Sequence, residues 1–261
     1  MEKIYIKELW SFRELLSALT IREIKVRYKQ TLLGAAWAIL QPASLTIIFT
    51  IVFGIFLKVS SGALPYPIFA YSALLPWTFF SNAVTFGALS VVNNGSLVSK
   101  IYFPREVLPI SSVGAALFDF AMAAMVFIIM IAFYKVSLTS NIVYLFIIIP
   151  SILFLTTGIS MILATLNVLF RDIKFVVPLA LQIWLYISPV IYSFDQVPEK
   201  YKVFIFLNPL TGLIQSFRDA SVYGKEPPVL ILSYSVILSI IIFLLGYWFF
   251  KSKERIFADV L

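Results

Sequence analysis

The sequence predicts an all-α integral membrane protein. Six transmembrane helices are expected, with an amino-terminal amphipathic interface helix and re-entrant helices between spans 5 and 6. Three observations carry this. Apolar residues make up 61% of the 261 and charged residues only 13%, against roughly 45–50% and about 25% in a soluble domain. The mean hydropathy is +0.98, more than a soluble core of this size could bury. Finally, uncharged stretches recur at a length that suits a ~30 Å hydrocarbon core, which takes about 20 helical residues.

The elements follow in order. Leu9 to Lys29 is amphipathic: Arg22, Lys25 and Lys29 recur at i, i+3 and i+7, with Ile21, Ile24 and Tyr28 one position earlier. Such a helix lies in the headgroup plane with its bases on anionic lipid. Charges run throughout the first 30 residues, so no signal peptide is expected there. Residues 1–32 form the cytoplasmic interface segment and 33–261 the membrane domain. Spans are expected at 33–57, 66–91, 107–134, 142–169, 175–194 and 229–250. The outer segment 195–228 holds a short apolar run broken by Asn208-Pro209 and Gly212, which suits re-entrant or interfacial helices.

Fourteen of the twenty Lys and Arg fall on the amino-terminal segment, the 2–3 and 4–5 loops and the tail. The positive-inside rule makes that side cytoplasmic and, with six spans, places both termini there. The net charge of +7 therefore reads as membrane orientation, and no nucleic-acid partner is expected.

Composition also excludes chemistry. There is no Cys and no His, which removes disulfides, thiolate or imidazole metal sites and His-based catalysis. No metal site and no catalytic residue are expected. A P-loop needs GxxxxGK[ST]. The only Gly-Lys pair, Gly224-Lys225, is followed by Glu226, so ATP-driven work would need a separate ATPase.

Asp119 is the one acid deep in a span. An intramembrane acid is a functional candidate by default: it could hold a proton or cation, face water, or bond a neighbouring helix. Trp37, Trp77, Phe79, Phe80, Trp184, Tyr186 and Tyr192 lie within or close to spans. Their rings suit the C–H faces of sugars and equally suit lipid. The segment Leu97 to Glu106 has a short apolar face plus charge, the makeup of a docking surface.

Four stretches then act together. They are Arg27-Tyr28-Lys29-Gln30-Thr31-Leu32-Leu33-Gly34 with Trp37 and Leu40-Gln41-Pro42; Ser99 through Pro109; Asn167 through Lys174, running into Trp184 and Ser188-Pro189-Val190-Ile191-Tyr192; and Leu207 through Arg218. In order and spacing they resemble the type-2 ABC exporter permeases for polysaccharide, the O-antigen, teichoic acid and capsule permeases. The resemblance implies a homodimer in a bacterial inner membrane, joined by two copies of a P-loop ATPase that binds the ATP and Mg. It implies no cofactor on this chain. It assigns ATPase docking to Ser99, Lys100, Tyr102, Arg105 and Glu106, and the interface helix to Arg22, Lys25, Arg27 and Lys29. It lines a channel between protomers with Trp37, Gln41, Trp184 and Tyr186. The cargo implied is a lipid-linked polysaccharide, O-antigen-type by preference. Export of teichoic acid, capsule, a small lipid or a drug is the alternative. A membrane transferase, or an ion-coupled transporter using Asp119, is the alternative from another class.

Overall fold

In hydrocarbon a backbone N–H or C=O finds no water, so a spanning segment must close its own hydrogen bonds. This chain does so with helices. A computed structural model describes residues 10–29, 31–62 and 64–260, with no strand among them. The first nine residues of the expected interface segment, Gln30 and Leu261 lie outside the described residues.

The order begins with α1 (Arg13–Tyr28). Next is α2 (Trp37–Phe49), which continues as a π-helical turn over Thr50–Phe56. Then come α3 (Tyr66–Asn93), the short α4 (Gly95–Lys100), α5 (Val107–Phe133) and α6 (Leu145–Leu169). They are followed by α7 (Ile173–Ile187), α8 (Glu199–Phe206) and α9 (Pro209–Arg218). The chain closes with α10 (Val229–Lys253) and α11 (Phe257–Val260).

Five helical segments among the described residues are long and apolar enough to cross a membrane: Gly34–Phe56, Tyr66–Asn93, Val107–Phe133, Ser140–Leu169 and Val229–Ile256. The expected fifth span, 175–194, differs. Its helix α7 has 15 residues, about 22 Å at 1.5 Å per residue, short of a ~30 Å core. The cause is Ser188-Pro189. A proline ring pushes the preceding residue out of the helical region, and Ser188 is extended at ψ 144°.

Helix α3 is the hub. It packs against α5 and α6 most extensively, and also against α2, α7 and α9. Of the five segments it has the lowest hydropathy, 1.3, and the most buried one, while Val229–Ile256 has 2.7 and is mostly exposed. The inversion has a physical cause. A helix wrapped by protein can use Ser, Thr and Ala to pack closely, whereas a lipid-facing one must be apolar outside. Ser72, Thr78 and Ser90 accordingly sit buried on α3, each donating to a backbone carbonyl of its own helix.

Helices α6 and α10 cross backbone to backbone. A Cβ on Gly246 would lie 2.3 Å from the Gly158 carbonyl oxygen, and a Cβ on Gly158 2.6 Å from Ile242 O. Backbone lies on both sides, so nothing flexible can yield. Replacing Gly246 by Ala is expected to cost about 1–3 kcal/mol, the usual price of overpacking. Thermal unfolding in detergent should show a lowered Tm, while Leu230→Ala, on the exposed start of α10, should leave it unchanged.

Candidate functional site

Three polar constellations stand out from the apolar bundle. The first is at the elbow between α1 and α2. Helix α1 packs along α5, and its last turn turns inward. Arg27 reaches Asp119 of α5, with Nη1 to Oδ2 at 2.7 Å, and both side chains are nearly buried at 9% and 13% exposure. Tyr28 donates its hydroxyl to the other oxygen, Oδ1, at 2.5 Å. Arg27 Nη2 also donates to the Ser112 carbonyl at 3.3 Å, and the guanidinium sits 4.0 Å from the Phe86 ring. Burial, then the hydrogen bond to Asp119, pushes the Tyr28 phenol well above its ordinary range, so it stays a donor at any physiological pH.

This placement revises two expectations. Asp119 is no lone acid, because a buried base neutralises it, and an ion-coupled mechanism loses its free carboxylate. Arg27 does not rest on headgroups with the other bases of α1. Lys25 and Lys29 are exposed, and Arg22 is half-exposed, bonded to Asn94 and 3.7 Å from Glu23. Position along the helix explains the difference: Arg27 is two residues on from Lys25, about 200° around the axis.

The pair floors a cavity of about 450 Å³ that Trp37, Gln41, Thr78, Asn82 and Phe120 also line. Trp37 and Gln41 thus meet on one wall, one helical turn apart on α2. Asn82 Nδ2 stands 3.5 Å from Gln41 Oε1. The other two expected channel residues do not share a face. Trp184 turns inward, its ring edge-on to Phe80 at 5.1 Å, while Tyr186 is exposed. Two residues on one helix differ by about 200°, so i and i+2 cannot line one wall.

The second constellation is α4 and the turn after it. Val98 and Phe103 are buried there with Phe250 and Phe257, and they anchor a short segment whose Ser99, Lys100, Ile101 and Tyr102 face outward. Tyr102 is 88% exposed. Arg105 and Glu106, expected at the same docking surface, point elsewhere. Glu106 is fully buried and pairs with Lys251 of α10 at 2.9 Å. Lys251 also reaches Glu254 at 3.1 Å, and Arg105 donates to the Glu254 carbonyl. A carboxylate buried this deep needs its base, so Arg105 and Glu106 tie α5 to the end of α10. Sequence reasoning saw the charges of 105–106 but had no signal for Lys251, 145 residues on.

The third constellation surrounds α9. Arg218 on α9 is fully buried. It donates from Nη2 to the carbonyls of Pro189 and Val190 at 3.2 and 3.1 Å, and Nε stands 3.4 Å from Ser72 Oγ on α3. Its guanidinium lies 3.9 Å from the Phe69 ring. The carbonyls that Pro189 strands beyond α7 are thus held by a base from the following hairpin. Sequence reasoning placed Arg218 within a matched stretch but gave it no role.

An all-helical, multi-pass membrane protein emerges, with polar groups gathered at the elbow, the α4 face and around α9. The chain belongs to the ABC-2 type transporter family, whose model matches residues 14–221. It is 31% identical over 255 residues to an O-antigen export system permease protein, RfbA, of Klebsiella pneumoniae, covering 95% of each chain. It is 28% identical to the RfbA of Myxococcus xanthus over 97% of this chain and 98% of that one. It is 23% identical to the polysialic acid transport protein KpsM of Escherichia coli over 91% and 93%.

The elbow pair has a measurable signature. Asp119→Ala leaves a buried guanidinium uncompensated and is expected to cost about 3–5 kcal/mol. Joining it with Arg27→Met should recover much of that loss. A double-mutant cycle on Tm checks this: additive losses would place the pair outside the folding energetics.

Proposed function

We propose that this chain is the permease subunit of an ATP-driven exporter that moves lipid-linked polysaccharide, O-antigen-type by preference, across a bacterial inner membrane. One observation carries the reading: the likeness to O-antigen export permeases runs over 95% of this chain and of the relative. The sequence offers no P-loop, so the ATP and Mg belong to a separate ATPase, two copies serving a homodimer of this chain.

In this reading α7 is the fifth of six spans, a short one completed by the turn at Ser188-Pro189. Helices α8 and α9 form the re-entrant hairpin at the outer mouth, and both termini are cytoplasmic. Two features support a passage between protomers. Helices α2 and α7 each present a glutamine, Gln41 and Gln182, on an exposed face. An amide facing hydrocarbon costs free energy, and a protein or aqueous neighbour removes that cost. The exposed Trp37 beside Gln41 adds an aromatic face, which suits weak sliding contacts with sugar rings.

The ATPase would seat on Ser99 to Tyr102. Motion there would pass through the buried Val98 and Phe103 into the long helices as a rigid-body shift. A polymer path needs many weak contacts, since tight ones would stall it.

Affinity purification in mild detergent should recover a P-loop ATPase at a one-to-one ratio. Tyr102→Ala should weaken that association by at least about tenfold, as loss of an exposed aromatic anchor does, with Tm unchanged. Recovery of the chain alone under several detergents would overturn the motor reading. Trp37→Ala should slow appearance of surface polymer without loss of assembly. Normal polymer in a Trp37→Ala, Gln41→Ala double variant would place that wall against lipid.

A further inference from the structure

A second cavity lies on the opposite side of the bundle from the α4 face, where four connections converge. They are the loops after the first and third spans, the turn after α7, and the end of the α9 hairpin. Its volume is about 490 Å³, within the range of small-ligand sites, roughly 300–1,000 Å³. Arg218, Gln215 and Asp219 lie in the wall from α9, with Tyr134 and Tyr223 beside them and Lys135 at the rim.

Two buried atoms in that wall have no partner among the described residues. One is a donor, Arg218 Nη1, and one an acceptor, Gln215 Oε1. The amide orientation of Gln215 is set by its neighbour: Nε2 donates to Asp219 Oδ1 at 3.0 Å, which leaves the carbonyl end free. A buried polar atom without a partner is costly, and two in one cavity call for a ligand or ordered water.

The pairing selects the ligand chemistry. A phosphate or carboxylate would satisfy Arg218 but set negative charge against Gln215 Oε1 and Asp219. A hydroxyl accepts and donates at once, so adjacent ring hydroxyls satisfy both orphans. Tyrosine rings in the wall suit the apolar C–H faces of the same ring. We propose that this outer cavity is a saccharide-binding subsite, separate from the passage along α2 and α7, that holds one sugar residue of the cargo at the outer mouth. The proposal rests on the polysaccharide reading above. The link from Arg218 to the Pro189 and Val190 carbonyls puts the subsite in direct contact with the end of α7, so occupancy there would brace the outer end of that helix.

The test uses the full chain with its ATPase in nanodiscs. The probes are oligosaccharides released by mild acid from the surface polymer of the cell that carries this chain, with inorganic phosphate as the comparison. Saturation-transfer NMR should show binding of the oligosaccharide and not of phosphate. Gln215→Leu removes the orphan acceptor and should weaken binding by about tenfold, a loss of about 1.4 kcal/mol. Ser137→Trp fills the cavity from its exposed rim and should abolish the same signal without lowering Tm. It therefore stands even if Gln215→Leu fails to fold. Undiminished oligosaccharide binding in Ser137→Trp would overturn the subsite while leaving the export reading intact. Absence of any saccharide signal in the wild type would do the same, as would phosphate displacing the sugar. Loss of the export reading would be seen separately, as normal surface polymer in cells deleted for this chain.

Discussion

The rest of this structure depends on one constraint: inside a bilayer a polar group has no water to fall back on. A charged side chain within the bundle must therefore find its partner in protein, and the partners of the buried charges lie far apart in sequence. Arg27 meets Asp119 across 92 residues, Lys251 meets Glu106 across 145, and Arg218 meets Pro189 across 29. The same constraint sorts the helices. Helix α3 has the lowest hydropathy of the five long segments and is the most buried, while α10, far less buried, is the most apolar.

These contacts also divide the molecule by stiffness. The elbow pair fastens α1 to α5, and the Glu106–Lys251–Glu254 cluster fastens the start of α5 to the end of α10. A push on α1 would therefore reach α5 through a buried charge pair, and a push on α4 would reach the long helices through Val98 and Phe103. Buried ion pairs are weak contributors to net stability, because desolvation offsets their attraction. Their value lies in geometry, since a half-formed pair is costly and the two segments move together or not at all. That is the property a permease needs if a separate motor supplies its energy.

Much of the fold was legible in the sequence. Hydropathy and length located the five long helices within a few residues, because each is an apolar run bounded by charge or proline, and Asn208-Pro209 marked the break between α8 and α9. The fifth span was less legible. Ser188-Pro189 is visible in the sequence, but hydropathy ignores proline and carried the span to Phe194. The site was legible only in part. Trp37 and Gln41 share a wall because they lie one turn apart on one helix. Trp184 and Tyr186 lie two residues apart, and helical geometry alone separates them. Pairings such as Arg27 with Asp119 could not be read, since a single sequence records no distances between helices.

The charge chemistry differs between the two ends of the bundle, and the difference bears on how such a protein could move. At the α4 end, bases meet carboxylates, and those contacts are strong and specific to one arrangement. At the outer end, Arg218 holds backbone carbonyls, which many conformations can present. A guanidinium that trades one carbonyl for another loses little, because its five donors outnumber the contacts in use. If a separate ATPase drives this chain, as proposed, the force would pass through the rigid pairs, while the contact at the end of α7 could re-form in more than one place. A mouth at that end could then open and close around a polymer by exchanging carbonyls on Arg218, leaving the ion pairs at the α4 end intact.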